Sequence, residues 1–259
     1  MSVRINTNIE ALNAHRNLSS TAVTFSKSVE KLSSGLRINR AADDAAGLAI
    51  SEKLRAQVRG LNQAQRNAQD GISMVQTAEG ALNEVHSMLQ RIRELAVQYA
   101  NGTNDSDSQA SIKAEVDALQ SAIGDIASNT KFNGVALLTG GGDVDFQVGA
   151  DKGQTRTVTF GDVDTSAAKV TDISTVDTAI ADISTLRGTF GAAQNQLEHT
   201  VANLGVAAEN LTASESRIRD LDVASEMVNF TKTQILQQAG TAILAQANSA
   251  PQSILTLLR

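Results

Sequence analysis

No cysteine and no tryptophan occur in the 259 residues, and proline occurs once, at Pro251. The missing cysteines exclude a disulfide framework and thiolate metal sites. Aromatic residues make up only 3% of the chain, too few for the ring-filled core that a compact enzyme of this length ordinarily builds. Dense positive charge is also lacking. Against 28 Asp and Glu stand 22 Lys and Arg with no basic patch, for a net charge of −6. This argues against nucleic acid as a partner, because phosphate binding requires clustered positive charge. No window approaches the apolar length of a membrane span. The start, Met1–Asn8, holds no apolar run of signal-peptide length, so an exported chain is expected to use another kind of signal.

What is present is 41% apolar, mostly Ala, Leu, Ile and Val, a balance that suits long helices packed through small and aliphatic side chains. The length allows one large domain or two small ones. A seven-residue repeat runs through Leu54, Leu61, Ala68, Val75, Leu82, Leu89 and Ala96. Val58 and Ile72, then Ala78, Val85, Ile92 and Tyr99, supply the second seam position. Alternation by four and three keeps one stripe facing a partner helix. From about Asp44 to Ala100 such a helix would be roughly 80 Å long, about twice the width of a compact domain of this size.

A second repeat comprises Val176, Ile183, Phe190, Leu197, Leu204 and Leu211, with Ile180, Val201 and Ala208 interleaved. A shorter stripe, Ile112, Val116, Leu119, Ile123 and Ile126, is entered through Asn104-Asp105-Ser106, which offers N-cap oxygens. The predicted fold class is mainly α: an elongated antiparallel helical bundle or coiled-coil rod with a small β-hairpin insert at about 131–173. The insert is read from the turn signals Asn133-Gly134 and Asp151-Lys152-Gly153, and from the alternation of Val144, Phe146 and Val148.

The two ends carry smaller stripes. Leu18, Ala22, Phe25, Val29, Leu32 and Leu36 step by four and three, as do Leu236, Gly240, Ile243, Ala247, Ala250, Ile254 and Leu257. Neither end has a large core of its own. Both are expected to be frayed in a lone subunit and to order only when other subunits cover them. Leu18, Phe25, Val29, Leu32, Leu236, Ile243, Ile254 and Leu257 are the candidate polymerisation seams.

Several of these stretches resemble one family. Ile5-Asn6-Thr7-Asn8-Ile9, Leu32-Ser33-Ser34-Gly35-Leu36-Arg37-Ile38-Asn39 and Ala41–Ile50 look like the start of bacterial flagellins. Leu89–Gln98, Phe132-Asn133-Gly134, and the stretch from Gln234 to Arg259 match in the same order. The resemblance covers most of the chain. It implies paired terminal helices from 1–44 and 220–259 forming an inner filament core, and an outer rod from 45–219. It also implies a secreted, extracellular, non-enzymatic filament subunit that is a homo-oligomer without cofactor. Export through the flagellar type III apparatus is implied, with a secretion chaperone, a filament cap and hook–filament junction proteins as partners. Large outer domains of longer flagellins have only 131–173 in their place, so antigenic variation and adhesion are not carried over.

In similar flagellins the patch around Gln90-Arg91-Ile92-Arg93-Glu94-Leu95, with a residue matching Glu115, is gripped by the animal flagellin-sensing Toll-like receptor. The candidate contact set is therefore Leu89, Gln90, Arg91, Arg93, Glu94, Leu95 and Glu115. The competing reading is a solvated face or a contact between protofilaments, and the two roles are compatible. Leu255, Leu257, Leu258 and Arg259 resemble the C-terminal motif read by inflammasome sensors, against the plainer role of an apolar tail buried in the tube.

His15, His86 and His199 are read as solvated helix positions, outside any His-Glu-x-x-His arrangement. Asp43-Asp44 is read as a helix start, and Asp143-Val144-Asp145 as part of a Gly-rich turn lacking the further ligands of a calcium loop. Gly35, Gly47, Gly60, Gly71 and Gly80 are expected at close helix approaches and adjustable joints. Three alternatives remain: a hook–filament junction protein, a secreted effector or adhesin with a helical stalk, and, weakest, an enzyme.

Overall fold

Each of the five helices in the computed structural model starts on an Asn or Asp whose side chain caps it. The model describes residues 7–140, 142–163 and 170–257, with side chains through Ala250. Asn8 Oδ1 accepts from Ala11 N at 3.0 Å to open α1 (Ile9–Ser34). Asp44 Oδ1 accepts from Gly47 N at 2.8 Å to open α2 (Ala45–Tyr99). Asp105 does the same from Ser108 N at 2.9 Å for α3 (Ser106–Asn129). Asp172 serves α4 (Ile173–Arg219) through Ser174 N, and Asp222 serves α5 (Val223–Leu257) through Ala224 N, both at 3.0 Å. Each cap satisfies an amide that the first helical turn leaves without a carbonyl. No described helix is long and apolar enough to cross a membrane.

The chain divides into two compact units, residues 56–210 and residues 1–55 with 211–259. The divisions fall inside α2 and α4. The reason lies in the ends of these helices. Arg219 Nη1 donates to Glu52 Oε1 at 2.6 Å, and Arg55 Nε lies 3.9 Å from Glu215 Oε1. The first turns of α2 and the last of α4 are thereby tied to each other.

In the unit of residues 56–210, α2, α3 and α4 share one core. Val75, Ala78, Leu82, Val85, Leu89, Ile92 and Ala96 are fully buried from α2. They meet Ile112, Val116 and Ile123 of α3 and Val176, Ile183, Phe190 and Leu197 of α4. The heptad stripe is buried from Ala68 onward, while Leu54, Val58 and Leu61 are half-buried.

Two small antiparallel hairpins close one side of this core. The first joins β1 (Lys131–Phe132) to β2 (Val135–Ala136) across Asn133 and Gly134, whose φ angles of 48° and 83° suit a tight primed turn. The second pairs β3 (Asp143–Gln147) with β4 (Thr155–Thr159), placing Val144 opposite Val158. Phe160, just beyond β4, tilts against Phe190 with ring centroids 5.3 Å apart. Gly71 makes room for the second hairpin: a Cβ there would sit 3.2 Å from both Phe146 and Leu197. Gly80 has open space around it, so it is no close approach.

Asp143 and Asp145 lie on β3, correcting the reading of a Gly-rich turn. Their carboxylates accept the hydroxyls of Thr159 and Thr157 across the ladder, at 2.6 and 2.5 Å. This is the cross-strand pairing that stabilises an exposed hairpin face.

In the other unit, α1 lies antiparallel to α5, with backbones approaching within 8 Å along their length. Small side chains allow this. A Cβ on Gly240 would meet Leu18 Cδ1 at 3.1 Å. The direction is fixed by Asn8 Nδ2 donating to Ala247 O at 2.7 Å at one end, and by Ser28 Oγ donating to Glu226 Oε1 at 2.5 Å towards the other. Phe25 stacks on Phe230 between them, centroids 5.0 Å apart. Gly35 ends α1 in the left-handed conformation, φ 71°. Arg37 N then donates to Arg219 O and Leu221 N to Gly35 O, so the α1–α2 and α4–α5 connectors pair through a short bridge.

Candidate functional site

The two units use their apolar residues in opposite ways. Among the described residues, only Ala11 and Ile38 are buried hydrophobic residues in the unit built on α1 and α5. Of the fourteen exposed large hydrophobic residues among those described, eleven belong to this unit. On α1 they are Ile9, Leu12, Val23 and Val29. On α5 they are Val223, Met227, Val228, Ile235, Leu236 and Ile243, and Ile50 on α2 completes the set. Residues buried in the α1–α5 seam include Ser28 and Thr233, both polar. The pair is thus closed by small and hydroxylated side chains, while its larger aliphatic groups face outward. An apolar surface of this density is a candidate site of association.

The predicted seam residues divide accordingly. Leu18 and Phe25 are engaged within the chain, against Gly240 and Phe230, and Leu32 is half-buried. Val29, Leu236 and Ile243 are outward, at 42%, 48% and 59% exposure. The side chains of Ile254, Leu255, Leu257, Leu258 and Arg259 lie outside the described residues, as does the segment Ile5-Asn6. Sequence reasoning missed the outward positions Ile9, Leu12, Val23, Met227, Val228 and Ile235. The signal was available, since a helix apolar on more than one face has more than one partner.

Charge divides along the same line. Residues 1–55 and 211–259 hold 12 Lys and Arg against 9 Asp and Glu, a net of +3, whereas residues 56–210 hold 10 against 19, a net of −9.

On the other unit, the predicted contact patch is only partly a surface. Leu89 and Leu95 are buried, at 0% and 2% exposure, because the heptad turns them into the core. They support the patch without being part of it. Gln90, Arg91, Arg93, Glu94 and Glu115 are exposed. Arg91 Nη1 reaches Glu94 Oε2 at 3.0 Å, and its Nη2 reaches Glu115 Oε1 on α3, also at 3.0 Å. Arg93 Nε donates to Asp177 Oδ1 on α4 at 2.5 Å, a partner that sequence reading did not identify.

Hydrogen bonds donated to Glu94 and Glu115 hold the Arg91 pKa above its usual value, and the bond donated to Asp177 does the same for Arg93. These ion pairs are solvent-exposed, so their yield is modest. What they do is pin the guanidinium groups across three helices. His86 departs from the expected solvated position: its Nδ1 is buried without a hydrogen-bond partner in the structure, while Nε2 lies 2.9 Å from Gln90 Nε2.

A buried helical bundle joined to an apolar-faced helix pair characterises a mainly α structural protein. Comparison with known proteins specifies the class. Residues 5–142 match the bacterial flagellin N-terminal helical region, and residues 173–258 match the bacterial flagellin C-terminal helical region. The chain is 53% identical to a flagellin of Halalkalibacterium halodurans, over 98% of this chain and 99% of that one. It is 48% identical to the flagellar filament 33 kDa core protein of Treponema phagedenis, over 98% and 99%. The crystal structure of Bacillus cereus flagellin superposes with a TM-score of 0.50 at 35% identity, covering 58% of this chain and 94% of that one. The chain belongs to the bacterial flagellin family, whose members are structural proteins and not enzymes.

Proposed function

We propose that this chain polymerises through its terminal helix pair into the extracellular helical tube of the bacterial flagellar filament, which drives swimming. The observation that carries this reading is the outward apolar face of α1 and α5, a face for which the unit provides no cover of its own. Burying it between copies supplies the favourable free energy of association. The inner filament core is formed by the helices of 1–44 and 220–259, which order fully on assembly; 45–219 forms the outer layer. Family membership supports the remaining partners: type III export with a secretion chaperone on the C-terminal segment, a filament cap, and hook–filament junction proteins.

Purified protein tests this directly. The full chain is expected to elongate filament seeds into micrometre fibres, and a chain lacking 1–44 and 220–259 to remain soluble, folded and unable to elongate them. Truncated chain that still formed filaments would overturn the division of labour. Full-length chain stopping at short lengths would mark a junction protein, and failure to add to seeds would mark an effector or adhesin.

A second role is supported by the exposure of Gln90, Arg91, Arg93, Glu94 and Glu115 on α2 and α3. This face is a protofilament contact in the polymer and, in the free subunit, the surface that the animal flagellin-sensing Toll-like receptor recognises. Leu255, Leu257, Leu258 and Arg259 form the corresponding feature for inflammasome sensors.

A further inference from the structure

The α1–α5 pair carries two unlike surfaces at its two ends. At one end, α1 and α5 line a cleft of about 460 Å³ that contains Lys27, Lys31, Lys232, Glu226 and Ser28. None of the three lysines forms an ion pair with a described residue, and the one carboxylate among the described cleft residues, that of Glu226, accepts the Ser28 hydroxyl. The cleft therefore has an excess of positive charge. Its field is felt by Asp43, whose pKa is lowered chiefly by the backbone N–H of Arg40, with Lys27 and Lys31 contributing. Lys232 and Leu236 also border an adjoining apolar hollow with Met227, Val228 and Ile235. An apolar hollow with Lys232 on its rim, adjoining a cleft that holds Lys27 and Lys31, fits an apolar segment that carries a carboxylate.

Such a segment lies at the opposite end of the same helix pair. The first turn of α1 presents Ile9 and Leu12 on one face, at 51% and 57% exposure, with exposed Glu10 on the flank beside Ile9. Glu10 has no ion-pair partner among the described residues. Lys27 lies seventeen positions further along the same continuous helix, about 25 Å away at the helical rise. A rigid helix cannot fold back over that distance, so the two surfaces cannot meet within one chain.

We propose that the first turn of α1 of one copy docks on the α1–α5 cleft of the next, with Ile9 and Leu12 on the Met227–Leu236 hollow and Glu10 among Lys27, Lys31 and Lys232. The contact is heterologous: each copy offers one surface at each end. Repeated copies then form an open chain and not a closed dimer. This deepens the proposed assembly by assigning its residues and polarity, and it rests on that reading.

Charge exchange tests the pairing on purified full-length protein added to seeds. Glu10→Lys and Lys232→Glu are each expected to slow elongation about tenfold or more, since each places like charges in contact. The double variant carries a carboxylate in the cleft and an ammonium on the first turn, and is expected to regain most of the wild-type rate. Far-UV circular dichroism of all three, matching the wild type, shows that the helices are intact. Single variants that elongate normally, or a double variant no faster than the slower single, would overturn the pairing. Wild-type protein that failed to elongate would instead remove the assembly reading itself.

Discussion

The two units of this chain are written in the same seven-residue grammar and spend it differently. In the unit of residues 56–210, the stripe of α2 is met by stripes from α3 and α4, and Val75, Leu82, Leu89 and Ile92 vanish from solvent. In the unit built on α1 and α5, only two helices are available. Besides Phe25 on Phe230 and Leu18 on Gly240, their contact is made by small and polar groups such as Ala11, Ser28 and Thr233, so the backbones come close and much aliphatic area stays uncovered. The leftover aliphatic surface is the one on which the proposed assembly rests. A periodic apolar stripe therefore establishes that a helix has a partner, and the number of helices in reach decides whether that partner is in the same chain.

The largest expected effect sets the two stripes directly against each other. Leu89→Ala removes a fully buried side chain and is expected to destabilise its unit by about 2–5 kcal/mol. Ile243→Ala and Val228→Ala remove side chains that are 59% and 68% exposed, and are expected to change monomer stability by no more than about 0.5 kcal/mol. Seed elongation is expected to be impaired by the exposed-site variants while their denaturant midpoints stay put. Equal loss of monomer stability at Leu89 and Ile243 would erase the distinction between the units.

A smaller effect concerns the helix starts that both units share. Asp172→Ala removes the acceptor for Ser174 N at the head of α4 and is expected to lower the thermal midpoint modestly. Asp172→Asn keeps an oxygen acceptor and should recover most of that loss. Should both variants melt alike, the cap contributes charge and not a hydrogen bond.

Much of this architecture was legible because its signals are local. Heptad spacing gave the buried stripes of α2 and α4, and Asn133-Gly134 and Asp151-Lys152-Gly153 gave the hairpins. Asp105 and Asp44 were readable as helix starts. Asp172 and Asp222 carry the same chemistry but stand outside the stripes that drew attention. What the spacing could not show is which neighbour a stripe faces. Leu18 and Phe25 share a pattern with Val29, yet the first two close the chain on itself and the third looks outward. The same limit applied to the contact patch. Leu89 and Leu95 sit in one continuous motif with Arg91 and Arg93, and only the helical turn separates buried support from exposed charge. Asp177 is distant in sequence from Arg93, so its pairing had no local signature.

The smallest effect is the response to acid. The carboxylates with perturbed pKa values, Asp43, Glu52, Asp105 and Asp172, are all shifted downward. The principal causes are the Arg40 backbone amide for Asp43, the Arg219 guanidinium for Glu52, and the Ser108 and Ser174 side chains for Asp105 and Asp172. A depressed folded-state pKa means that the folded chain binds these protons less readily than the unfolded chain. The stabilisation is therefore complete above the unfolded carboxylate values, about pH 4–4.5, and is lost as pH falls through the folded values below them. Solvent exposure keeps each contribution small. The monomer's thermal midpoint is expected to be insensitive to these groups from pH 5 to pH 8 and to fall below about pH 4. Glu52→Gln should flatten part of that fall by removing the group whose proton uptake breaks the bond to Arg219. Because Glu52 and Arg219 join the helix ends of the α1–α5 unit, an unchanged acid profile in Glu52→Gln would show that the connectors are held by their backbone bridge at Leu36 and Asp220 and not by this ion pair.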